Sequence, residues 1–117
     1  MALQDNSSRK DMIQRYKERK KLGGVYVVRN TIKDKILIEA TADLSSSKNR
    51  FEFAQKTGSC VDLKLKKDWN DQRGAGFVFE VLEELEKGET QTDAEFSADV
   101  KLLKELWIEK MADEVIY

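Results

Sequence analysis

Whatever chemistry this 117-residue chain carries, it carries without a histidine and with a single cysteine, Cys60. Imidazole base catalysis is excluded, and with it the common zinc and non-haem iron sites. A lone thiol makes no intramolecular disulfide and no multi-cysteine metal site. At a predicted helix start with no histidine partner, Cys60 reads as a small buried hydrophobe. Tyrosines, cations and carboxylates remain, and the charges are unevenly spread. Residues 9–21 carry seven Lys or Arg against Asp11 and Glu18, a local balance of +5. Residues 80–99 carry eight acids against Lys87, a balance of −7, although the whole chain sums to −1. Phosphate is the partner a cationic run fits, with Arg15, Arg19 and Lys20 as candidate contacts; the other reading is a solvated helix face.

The elements that must position these groups follow from periodicity. Asn6-Ser7-Ser8 offers N-caps for a first helix in which Met12, Ile13 and Tyr16 recur at helical spacing up to Gly23-Gly24. Its apolar stripe is narrow, so it is expected to lie loosely against the domain. Residues 24–30 and 35–41 are apolar and β-branched and read as a hairpin. Its joint, Thr31-Ile32-Lys33-Asp34, lacks the Asn-Gly that a tight turn prefers. Ser45-Ser46-Ser47 can cap a helix to about Lys56, with Phe51 and Ala54 inward and Gly58 as its stop. A further helix from about Ser59 to Arg73 would place Val61, Leu65 and Trp69 on one face. Phe77 to Glu83 is the third strand, apolar on both faces except at Glu80 and so expected to be covered on both sides. A last helix of some 18 residues presents Phe96, Val100, Leu103, Leu106, Trp107 and Met111. The expected core comprises Phe51, Leu65, Trp69, Phe79, Leu103 and Trp107.

The length suits one domain with one core. No run approaches the roughly 20 apolar residues of a membrane span, and no apolar leader opens the chain, so a cytoplasmic protein without membrane contact is expected. The order helix, strand, strand, helix, helix, strand, helix is satisfied by an α+β fold: a three-stranded antiparallel sheet sandwiched by helices, with an extra N-terminal helix. The expected division is a basic N-terminal helix over 1–22, a domain over 23–112 and a tail over 113–117.

Gly24-Val25-Tyr26 in the first strand and Leu37-Ile38-Glu39 in the second resemble the paired triads of the GIY-YIG nuclease superfamily. Leu65 to Asn70, Phe77 to Glu83 and Leu106 to Lys110 resemble the family's later landmarks, so the resemblance covers roughly residues 24–111. It implies the family's fold and metal-assisted hydrolysis of a phosphodiester. In such chemistry tyrosine oxygens position or deprotonate water, an arginine neutralises phosphate, and a glutamate on the last helix holds a divalent cation.

Carried over residue by residue, the pattern is incomplete. Tyr26 matches the first tyrosine, but Leu37 replaces the second and has no oxygen to hold water. Glu39 replaces a glycine and sets an anion where backbone would approach phosphate. Ser47 falls at the arginine position, with Arg50 three residues on, about 4.5 Å further along the same helix. Lys104 replaces the metal-binding glutamate. Glu105 is next to it, but rotated by about 100°. The resemblance thus implies a decayed site with Tyr26 and Arg50 as relics, no metal and no cofactor. Tyr26 also reads as a plain strand aromatic, and Arg50 as a surface helix residue. Lys104 is expected on the Tyr26 face, pairing with Glu39 or hydrogen-bonding the Tyr26 hydroxyl. The expected function is a non-catalytic module binding nucleic acid through the basic helix and Arg50, or binding protein or a second copy of itself. The alternative is a divergent endonuclease, dependent on a divalent ion such as Mg²⁺, using Glu39 or Glu105.

Overall fold

The computed structural model describes residues 22–60 and 62–117; the basic segment before Leu22, with Arg15, Arg19 and Lys20, lies outside the described residues. The hairpin forms as its β-branched runs require: β1 (Leu22–Asn30) pairs antiparallel with β2 (Lys35–Thr41), Gly24 opposite Thr41 and Asn30 opposite Lys35. Its four-residue turn is held by a side chain. Asn30, fully buried, accepts through Oδ1 the N–H groups of Ile32 at 3.1 Å and Lys33 at 3.2 Å, the local bond by which asparagine shapes a turn without Asn-Gly.

β3 (Phe77–Glu86) pairs antiparallel with the other edge of β1, and the register slips between Val25 and Tyr26. Val25 faces Glu83 while Tyr26 faces Val81, so Leu82 is the extra residue of a bulge. Gly24 (φ 148°) sits beside it, where a Cβ would overlap the Glu83 carbonyl oxygen. A fourth strand, β4 (Val115–Ile116), pairs parallel with β2 at Lys35 and Ile36, giving the order β3-β1-β2-β4. The sheet is therefore mixed and four-stranded, which corrects the expected three antiparallel strands. Two residues carry no readable period, and their pairing exists only because the preceding helix returns the chain to the sheet.

Helices cover both faces of β1 and β2. On one face, Val28 and Leu37 pack with Phe51 and Ala54 of α1 (Leu44–Thr57), with Leu65 and Trp69, and with Phe77. On the other, Val25, Val27, Ile36 and Ile38 pack with Leu103 and Trp107 of α3 (Asp93–Lys110) and with Met111. Phe51, Leu65 and Trp69 are buried as expected, whereas Phe79, Leu103 and Trp107 are only partly so. Leu106 is 47% exposed. β3 is an edge strand whose Val78 and Val81 are 40% and 44% exposed, so its two apolar faces are not both covered.

The expected single helix from Ser59 to Arg73 is a 3₁₀ turn (Leu63–Leu65) running into a short α2 (Lys66–Gln72). Asp62 accepts the Lys64 N–H at 2.9 Å and starts the turn there. Cys60 consequently sits in the connection before it, partly buried, with its thiol donating to the Asp62 carbonyl at 2.8 Å. Among the described residues no helix is long and apolar enough to cross a membrane.

Candidate functional site

Where α1 begins decides what its first turn presents. Asp43 is the N-cap, its carboxylate accepting the Ser46 N–H at 3.1 Å, so the three serines expected as caps lie inside the helix. Leu44, Ser47, Phe51 and Ala54 then form its buried stripe. Ser47 is thereby turned to the sheet and donates through Oγ to Thr41 Oγ1 at 2.8 Å. Arg50, one turn on and exposed, directs Nη2 back to Ser47 Oγ at 3.4 Å.

Between α1 and the hairpin is a cleft of about 240 Å³ into which Tyr26, Leu37, Glu39, Ser47, Arg50 and Asp62 converge. Tyr26 and Glu39 are direct cross-strand partners and share this face, as do Val28 and Leu37. The Tyr26 ring stacks on Phe79 with centroids 4.5 Å apart, so it also packs as a strand aromatic. Burial raises its hydroxyl above the usual tyrosine pKa and the charge of Glu39 adds to the rise; hydrogen bonding with Ser47 and the Arg50 guanidinium oppose it without cancelling it. At neutral pH the hydroxyl keeps its proton, and Leu37 supplies no oxygen beside it.

Lys104 Nζ lies 3.6 Å from Glu39 Oε2. The pairing agrees with the sequence, but the route differs from the one expected. Leu103 and Trp107 hold α3 against the face opposite Tyr26. β4 covers β2 only at Lys35 and Ile36, which leaves the β2 edge beside Glu39 open to the lysine stem. Lys104 therefore meets Glu39 from the helix on the opposite face and is not among the residues that line the cleft, which corrects its expected place on the Tyr26 face. Glu105 is exposed on α3.

Glu39 already has an ammonium partner, the Arg50 guanidinium lines the same cleft, and among the described residues no three His, Cys, Asp or Glu side chains meet. Sequence reasoning missed Asp62 and Thr41. Asp62 has the sequence signal of a cap before Leu63; Thr41 continues the alternation of Leu37 and Glu39, so both were within reach of pattern alone.

A second polar cluster, also missed, lies at the turn end of the sheet. Tyr117 donates through its hydroxyl to Asp68 Oδ2 at 2.5 Å and accepts from Asn30 Nδ2 at 2.9 Å, while Lys33 Nζ contacts Asp68 Oδ1 at 2.5 Å. Gln72 and Asn30 exchange side-chain bonds of 2.7 and 3.1 Å. Lys33 and then Tyr117 hold the Asp68 carboxyl below the usual aspartate range. Each polar group here is satisfied by another, which marks a structural clasp.

A tyrosine-bearing hairpin flanked by a third strand, covered by helices on both faces and carrying a polar cleft against its first helix, has the GIY-YIG nuclease-like fold. Two solved structures show the likeness: the catalytic domain of the homing endonuclease I-TevI and a mutant form of the same domain. For the first, identity is 20% over 75% of this chain and 86% of that one, with a TM-score of 0.55. For the mutant the identity and TM-score are the same, over 76% and 82%. At that identity the likeness is one of fold. The sequence matches no protein-family model and no curated protein.

Proposed function

We propose that this is a GIY-YIG-fold domain with a decayed phosphodiesterase site, acting as a non-catalytic module that contacts nucleic-acid phosphates through Arg50 and the basic segment. The observation that carries this reading is the Glu39–Lys104 pair at the rim of the Tyr26 cleft. It ties up a carboxylate with a cation where hydrolysis calls for a free one, beside a tyrosine that keeps its proton and a leucine that holds no water. Arg50 supports the phosphate-contact reading, since its guanidinium lines the cleft and, among the described residues, its hydrogen bond there is to the neutral Ser47 hydroxyl. Arg15, Arg19 and Lys20 add sequence-independent attraction.

The runner-up, a divergent metal-dependent endonuclease, has Glu39 and Asp62 in one cleft in its favour. A single preparation separates the two. Incubated with plasmid or duplex oligonucleotide and Mg²⁺ or Mn²⁺, the protein should cut no faster than Tyr26→Phe. The same protein should bind duplex DNA with affinity that falls steeply with salt; four phosphate contacts give a log–log slope of about −3.6. Cleavage abolished by Tyr26→Phe establishes the nuclease. Neither cleavage nor salt-dependent binding leaves a protein partner or self-association.

A further inference from the structure

α3 has two unlike flanks. Lys101 and Lys104 lie on the side toward β2, where Lys104 meets Glu39. The other flank carries Glu95, Asp99, Leu102, Leu106 and Glu109 at successive steps of four, three, four and three residues, the spacing that aligns side chains along one helix face. Leu102 is 59% and Leu106 47% exposed, an apolar centre bounded by acids at both ends. Phe96 and Val100 are the residues this helix buries among the described residues, on a different face from Leu102 and Leu106.

The segment before β1 has the complementary design. At helical spacing Met12, Ile13 and Tyr16 form an apolar centre, with Arg9 three residues before it and Arg19 and Lys20 three and four residues after it. Its tether is well placed. Leu22 pairs with Glu86, and Gly23 is close-packed under the Phe96 ring at the start of α3. The 13 residues from Arg9 to Lys21 span about 20 Å as a helix, and Phe96 to Leu106 about 15 Å, so the segment reaches the whole leucine flank. A short tether also keeps its local concentration high, which favours this occupant over a free partner of the same chemistry.

We propose that residues 9–21 dock as an amphipathic helix on the Glu95–Leu102–Leu106–Glu109 flank of α3, with their cations on the acids that border the leucines. The docking stands apart from the nucleic-acid reading; only its consequence rests on that reading, namely that docked cations are withheld from phosphate and nucleic acid must displace the segment to use them.

Amide hydrogen exchange on the full chain tests the contact, with a Leu102→Gln/Leu106→Gln variant and a Leu63→Gln control, Leu63 being 84% exposed and in the 3₁₀ turn. Wild type and control should show residues 10–21 protected by about tenfold or more at low salt, independent of protein concentration, and the double variant should lose that protection while its sheet amides stay unchanged. Unprotected amides in the wild type, or protection the double variant retains, overturns the proposal. Protection that rises with protein concentration also overturns it and assigns the flank to a second copy. A fluorescent DNA duplex then reads the consequence: the double variant should bind several-fold more tightly than wild type. If exchange behaves as expected but no form binds the duplex, the nucleic-acid reading fails and the docking stands.

Discussion

At the scale of single residues, the chemistry of this domain turns on which charges have partners. Removing the Lys104 ammonium should release Glu39: Lys104→Glu sets a second carboxylate beside Glu39, with Asp62 in the same cleft. We expect Mn²⁺ titrations to show binding by Lys104→Glu and none by the wild type, and equal binding by both contradicts the role given to Lys104. The pair is partly exposed on both sides, so its loss should change stability by no more than about 1 kcal/mol. Asp68 is the opposite case, a carboxylate whose partners serve the fold. Its folded pKa is depressed by Lys33 and Tyr117, so the stability it contributes is present above the unfolded aspartate value of about 3.9 and is lost as pH falls through the lower folded value. Asp68→Asn should therefore be less stable than wild type in denaturant melts at pH 7, with the gap narrowing below about pH 4. Tyr117 and Lys33 have raised pKa values, so the same clasp loosens again as pH rises beyond about 10.

At the scale of elements, caps and bulges set where side chains point. The first turn of α1 offers a direct test, because Asp43 and not the serine run accepts the orphan N–H. Asp43→Ala should cost about 1 kcal/mol in thermal or urea unfolding, whereas Ser45→Ala should be near neutral. Gly24 is fixed by the bulge that re-aims Tyr26. A methyl group there meets the Glu83 carbonyl in a backbone conformation that side chains rarely adopt, and Gly24→Ala should destabilise by about 1–3 kcal/mol. The loss should be larger than that of Gly58→Ala, since a Cβ at Gly58 meets nothing within 4 Å and carries only the left-handed penalty. Melts that rank the two glycines the other way remove the bulge from this account.

At the scale of the whole molecule, the sheet is a partition between two cores, and the features that matter for function lie where something crosses or rounds it. The Glu39–Lys104 pair rounds the β2 edge, β4 closes that edge further along, and Tyr117 ties it to α2 through Asp68. Deleting residues 115–117 removes the partner of the Ile36 carbonyl and uncovers the Asn30–Asp68 cluster. Leaving buried polar groups without partners costs roughly 1–3 kcal/mol each, so the truncated chain should melt several degrees lower while the Tyr26 cleft, at the far end of β2, keeps its geometry. Exchange protection lost first around Tyr26 runs against that separation.

The sequence by itself determined the hairpin, the third strand, the last helix and the Gly58 stop, because alternation, β-branching, helical spacing and terminating glycines act over a few neighbouring residues. Strand alternation put Leu37 and Glu39 on one face, and the family resemblance implied Tyr26 beside them; the cross-strand register that brings Tyr26 opposite Glu39 came from the structure. The tertiary structure alone decided the rest. β4 is too short to carry a period; Ser47 faces the cleft because a neighbouring aspartate takes the cap; and β3 lies at an edge, which its apolar run does not record. Lys104 reaches Glu39 from the opposite side of the sheet because the packing of Leu103 and Trp107 fixes how α3 lies across β1 and β2. That orientation is set by side-chain packing between elements far apart in the chain, and no local pattern encodes it.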